Sequence, residues 1–157
     1  MLESQEIDGI DVKILTELQV NARSSVAEIS EKLNVPHSTI ALRIKRLEKK
    51  EIIKGYHVEL NREKLGFNVV AIGTLKVKPM VDRKLEDLIK DYEKVGGISS
   101  LYSVAGENAG VFTLVCKDLK DLNDKVMKLR NIQEITETQT MIVLDSIWEN
   151  RQLPLTL

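Results

Sequence analysis

The segment 24–50, SSVAEISEKLNVPHSTIALRIKRLEKK, decides how the rest of the chain is read. Ser25 and Glu28 stand at the Ser-x-x-Glu spacing of a capping box, which predicts a helix starting near Val26. Val26, Ile29 and Leu33 then recur at helical spacing and define one apolar stripe. Pro36 excludes the helical conformation for the residue before it, so Asn34-Val35-Pro36 is a break. A second helix is predicted from about His37 to Lys50, with Ile40, Ile44 and Leu47 inward. Its outer face carries Ser38, Thr39, Leu42, Lys45, Arg46 and Lys49, with Arg43 and Lys50 at the edge. A short helix, a tight turn and a longer helix with a basic, hydroxyl-bearing face form a DNA-reading helix-turn-helix. A plain helical hairpin with solvated lysines would share the apolar pattern, and charge separates the two. From His37 to Lys54 there are six basic residues (Arg43, Lys45, Arg46, Lys49, Lys50, Lys54) against two acidic ones (Glu48, Glu51). The whole chain carries a net charge of only −1, so positive charge is concentrated where a phosphate backbone would lie.

Upstream, Asp8 is positioned to cap a first helix, with Asp11 near its positive end. Ile10, Ile14 and Leu18 give that helix an inner face, with Leu15 alongside, and it is expected to end near Gln19. Downstream, short alternating runs around Lys54-Gly55 suggest a small β-hairpin, a wing whose Lys54 would touch phosphate. Residues 1–60 thus read as a winged helix-turn-helix domain, 61–68 as a linker containing NREKLG, and 69–157 as a second domain.

In that second domain the periodicity changes. Val69–Val77 reads as a strand with Gly73 inside it, and Val81–Val95 as an amphipathic helix with Leu85, Leu88 and Ile89 inward. Gly96-Gly97 ends the helix, Ile98–Ala105 is a second strand, and residues 106–110 turn into a third, Val111–Lys117. Asp118 opens a helix carrying Leu119, Leu122, Val126 and Leu129, and Ile132–Trp148 reads as one long final strand. The order β-α-β-β-α-β is that of a ferredoxin-like antiparallel sheet with helices on one face, an α+β fold. Apolar residues on both faces of its strands predict that a second copy covers the open face, most simply as a two-fold dimer. Such a dimer would set two recognition helices about one DNA turn apart, matching a palindromic operator.

Bulk properties narrow the classes further. A chain of 157 residues with 43% hydrophobic and 30% charged residues is a globular protein, long enough for one large or two small domains. Cys116 is the only cysteine, which excludes an intrachain disulfide and a cysteine-built zinc site. No apolar stretch approaches the roughly 20 residues needed to span a membrane, and MLESQEID is acidic where a secretory signal would be basic. A cytoplasmic location, without membrane attachment, is expected. His37 and His57 stand apart, and neither a nucleophile–base pair nor a glycine-rich phosphate loop is present, so neither an enzyme nor a cofactor is expected.

Four segments together resemble the Lrp/AsnC, or feast/famine, family of bacterial and archaeal transcription regulators. They are IDGIDVKILTELQVNAR (Ile7–Arg23), RIKRLEKKEIIKGY (Arg43–Tyr56), Leu65-Gly66 and TMIVLDSIWE (Thr140–Glu149), in the family's order and spacing. The resemblance implies a repressor or activator whose assembly or DNA affinity answers to a small effector, often an amino acid. It also implies dimerisation through the sheets, dimers assembling to tetramers or octamers, and an effector crevice between dimers. Carried onto this chain, that crevice comprises Gly106, Glu107, Asn108, Ala109 and Gly110, with Thr138 and Thr140; Asp118 is placed near the same end of the sheet. Two departures stand out. Pro36 occupies the position where the family often has the recognition-helix cap, leaving Ser38 or Thr39 to cap instead, and Ala109 stands where the family usually has Asp.

For DNA, phosphate contacts are expected from Lys45, Lys49, Lys50 and Lys54, and base reading from His37, Ser38, Thr39, Leu42, Arg43 and Arg46. Two alternatives remain open. Siroheme decarboxylases look like Lrp/AsnC proteins over their full length, although the C-terminal half here has no histidine. An architectural DNA-packing protein would need the same basic head without sequence selectivity.

Overall fold

The computed structural model describes residues 7–79 and 83–155. The described residues form two compact units: 7–59 together with 148–155, and Leu60–Ile147. Residues from Trp148 onward, read from sequence as part of the second domain, therefore group with the head.

The head is three helices: α1 (Gly9–Val20), α2 (Val26–Leu33) and α3 (His37–Lys49). Both early helices start on a complete capping box. Asp8 accepts from the N–H groups of Ile10 and Asp11 while its own N–H donates to Asp11, and Ser25 and Glu28 exchange equivalent bonds. Two backbone donors are satisfied reciprocally at each start, which fixes where each helix begins. Asn34 closes α2 in the left-handed conformation (φ 52°), and the Ser30 hydroxyl donates to Val35 O at 2.6 Å, tightening the turn into α3. Ile14, Ile29, Ile40 and Leu47 are fully buried at the centre, with Ile10, Leu18, Val26, Leu33 and Ile44 around them. Each such side chain contributes ~1.5–3 kcal/mol on burial.

No wing forms: none of residues 51–60 is in a strand. The reason lies at the end of α3. Glu51 takes the left-handed conformation (φ 56°), and the N–H groups of Ile52 and Ile53 both turn back to Leu47 O, at 3.0 and 3.2 Å. Residues that would make the first hairpin strand are spent on closing the helix. Tyr56 instead donates to Glu48 at 2.9 Å; burial and that carboxylate push its hydroxyl up to about 12. At the other end of the chain, Leu153 returns to α1: its N–H donates to Gln19 Oε1 at 2.6 Å, and its carbonyl accepts from Gln19 Nε2 at 3.4 Å.

The second unit contains β1 (Val69–Val77), α4 (Leu85–Val95), β2 (Ile98–Ser103), β3 (Gly110–Cys116), α5 (Leu119–Arg130) and β4 (Ile135–Ile142). Its sheet is antiparallel in the order β2-β3-β1-β4, as the ferredoxin-like pattern requires. Ala71, Leu75, Phe112, Leu114 and Cys116 line its helix face and bury against Leu122 and Leu129 of α5 and Val95 of α4. Gly73 belongs to the same face. A Cβ there would collide with the Phe112 ring and stand 2.5 Å from Gln139 O, so the ring lies directly over the glycine. The opposite face exposes Ile72 and Met141, paired across the β1–β4 ladder, and Tyr102 at the β2 edge.

Three expectations need correction. The helix expected over Val81–Val95 runs from Leu85, and Val81 lies outside the described residues. Leu85 and Ile89 are not buried by it; they are 67% and 45% exposed and border an apolar groove of about 690 Å³ between α4 and β2. The last strand ends at Ile142 rather than Trp148. Val143 N–H still reaches Val70 O, but β1 begins at Val69, so the only neighbour of this edge strand runs out. Leu144, Ile147 and Trp148 are accordingly exposed.

Candidate DNA-binding helix and effector crevice

On α3 the side chains three and four residues apart form two parallel rows. Ser38, Leu42, Lys45 and Lys49 make the outer row. All four are exposed, Leu42 to 70%, and neither lysine pairs with a described residue. Thr39, Arg43, Arg46 and Lys50 make the second row, nearer α1. His37 is exposed at the helix start. Contrary to the expectation for Ser38 or Thr39, Pro36 is the N-cap and no side chain caps the helix. Pro36 O accepts from Thr39 and Ile40, and the N–H groups of His37 and Ser38 have no partner among the described residues. The positive end of α3 is thus open, an arrangement that favours a phosphate oxygen. Lys54 is exposed beyond the helix.

Arg43 and Arg46 differ from the outer row. Arg43 Nη1 donates to both Asp8 oxygens, at 2.6 and 2.7 Å, and to Asp11 Oδ1 at 2.9 Å. Arg46 Nη2 donates to Asp11 Oδ2. Arg46, expected on the outer face, is therefore half-buried and turned towards α1. The Arg43 guanidinium, helped by the α1 N–H groups, holds the Asp8 carboxyl down at about 2. Asp11 itself is completely enclosed. Sequence reading missed its role, although a signal was present: Asp11 lies on the same helical row as Ile14 and Leu18, an acid on a core stripe.

In the second unit, Gly110, Leu75 and Thr138 lie in one row across β3, β1 and β4. The loop before Gly110 is closed by Val104 N–H to Ala109 O (3.1 Å) and Ala109 N–H to Leu75 O (2.9 Å). The N–H groups of Gly106, Glu107 and Asn108 have no partner among the described residues. Ala109, where the family usually has Asp, packs against the core. Glu107 pairs with Lys76 at 3.0 Å, and Lys76 also reaches Glu137 at 3.2 Å. Lys76 keeps the Glu137 carboxyl below its usual range. Thr138 is buried and accepts from Arg130 Nε at 2.8 Å, while Thr140 Oγ1, in the next row, is enclosed without a partner. Arg130 and Lys76, unforeseen from sequence, thus belong to this end of the sheet. Arg130, Thr136, Glu137 and Thr138 line a second cleft of about 330 Å³ there. Asp118 does not belong to it. It follows Cys116, which pairs with Val69 at the opposite end of β1, and it caps α5 by accepting from Asp121 N–H at 2.8 Å. Gly110 opens the seven-residue β3, and Asp118 lies beyond the strand's other end.

Residues 7–48 match the AsnC-type helix-turn-helix domain, and residues 70–153 match the Lrp/AsnC ligand binding domain. This chain belongs to the Lrp/AsnC family. The HTH-type transcriptional regulator Ptr1 of Methanocaldococcus jannaschii is 35% identical over 95% of this chain and 99% of its own. The HTH-type transcriptional regulator FL11 of Pyrococcus furiosus is 32% identical over 94% and 96%. Among solved structures, a transcriptional regulator of Neisseria meningitidis in complex with L-methionine superposes with a TM-score of 0.87 at 26% identity, covering 94% of this chain and 96% of that one. As a Lrp/AsnC protein this chain is a transcriptional regulator with a DNA-binding head and a ligand-binding domain. No helix among the described residues is long and apolar enough to cross a membrane.

Proposed function

We propose that this regulator binds a palindromic operator as a homodimer or an assembly of dimers, and that an amino acid bound in the second unit sets its affinity or assembly. The observation that carries the DNA part is the outer row of α3: Ser38, Leu42, Lys45 and Lys49 are exposed beside an uncapped helix start. Lysine charge with no partner in the protein attracts phosphate, while hydroxyl and methyl groups at the helix start reach base edges. His37, Thr39 and Arg46 complete the reading set, and Lys50 and Lys54 extend the phosphate track. For the effector, the unpartnered N–H groups of residues 106–108 offer donors for a carboxylate, close to the cleft holding Thr138. The L-methionine held by the Neisseria relative supports an amino acid as the ligand class. The exposed sheet face of Ile72 and Met141 supports closure by a second copy.

The test is a gel shift on DNA upstream of the protein's own gene, with a scrambled competitor, with and without each amino acid. Selective binding that moves with one amino acid is the expected result. Selective binding indifferent to all of them would overturn the amino-acid effector. Equal binding to both DNAs would leave a packing protein, and no binding, with a tetrapyrrole absorbance band, a decarboxylase.

A further inference from the structure

Two arginines of α3 converge on one enclosed acid, yet they are not equivalent. Arg43 shares a single amino group among three carboxylate oxygens of Asp8 and Asp11, and its side chain is only 20% exposed. Arg46 is 41% exposed and is held on one side only, by Nη2 on Asp11 Oδ2. Its Nε is enclosed without a partner, while Nη1 is neither enclosed nor bonded among the described residues. Asp11 Oδ2 also accepts the Asp8 N–H at 3.1 Å, so the acid is itself fixed to the start of α1. A guanidinium clamped at one amino group by a fixed, buried carboxylate keeps its other amino group in one place. Its N–H bonds are thereby held out as a fixed, charge-assisted donor for an acceptor on a base edge. The pairing also cancels charge, so general attraction to phosphate falls to Lys45 and Lys49, which have no such partner.

We infer that Asp11 is a positioning residue for sequence reading: it buttresses Arg46, whose Nη1 contacts a base edge, while Arg43 anchors α3 to α1 and does not read. This rests on the reading of the protein as a sequence-selective DNA binder. It divides a pair of arginines that were both expected from the sequence to read bases.

The test is fluorescence anisotropy with the full chain on its upstream DNA and on a scrambled fragment of equal length. D11N and R46K are each expected to lower the preference for the true site about tenfold, with scrambled binding changed no more than about twofold. Because both variants remove the same positioned donor, D11N/R46K is expected to do no worse than R46K alone. R43K is expected to lower the melting temperature and keep the preference. Equal losses on both DNAs, additive losses in the double variant, or an unchanged preference in D11N would each overturn the inference. Should D11N fail to fold by its melting curve, the lysine variants decide: preference lost in R43K and kept in R46K overturns it. A wild type that prefers neither DNA would overturn the underlying reading of the protein, and this inference with it.

Discussion

Asp8 serves two partners, pairing with Arg43 and capping α1, and the two together, Arg43 first, depress its carboxyl from 3.8 to about 2. The folded head therefore holds its proton less tightly than the unfolded chain does. The stabilisation is complete above about pH 4 and is lost as pH falls towards about 2. Asp8→Asn is expected to flatten the dependence of stability on pH across that window, read by urea unfolding at several pH values; an unchanged slope would show that the pairing adds nothing. At this scale the sequence was only half legible. Capping follows from neighbours one turn away, so Asp8 and Ser25 were visible. Arg43 lies 35 residues beyond Asp8, and no local pattern announces such a partner. Asp118 failed for the same reason: a cap is local, but its end of the sheet depends on strand register.

The starts of α1 and α2, which carry capping boxes, were more legible than the cap of α3, the start of α4 or the end of β4. Capping boxes announce a start, whereas an end depends on which backbone groups find other partners. The absent wing and the shortened β4 are both cases of this: residues 52–53 bond back to α3, and β1 has only Val69 and Val70 left beyond the Ala71–Ile142 pair. Glu51 is the residue whose backbone closes α3, and its left-handed conformation costs a non-glycine residue roughly 1 kcal/mol. Glu51→Gly is therefore expected to stabilise the head by about 0.5–1 kcal/mol. A shift of the urea midpoint in either direction decides it, and a fall would mean that the Glu51 side chain contributes more than its backbone costs. The groove beside α4 was misread because amphipathic spacing names a face without naming what covers it; Leu85 and Ile89 line a groove in the isolated chain.

For the whole molecule, β-α-β-β-α-β was readable because each element has its own period, and the sheet order followed from that topology. What covers the open sheet face is not written in one chain. Under the proposed two-fold closure, Ile72→Glu is expected to yield a monomer by sedimentation, with operator binding weakened at least about tenfold by loss of the second head. A dimer unchanged by that charge would place the interface elsewhere. One further consequence concerns the return of Leu153 to Gln19. In connectivity the second compact unit is an insertion inside the head, entered after Glu59 and left before Trp148. Clipping the chain after Ile147 would thus leave every strand in place and undo an attachment of α1. A label attached at Leu153 sits on the DNA-binding unit, however far along the chain it is written.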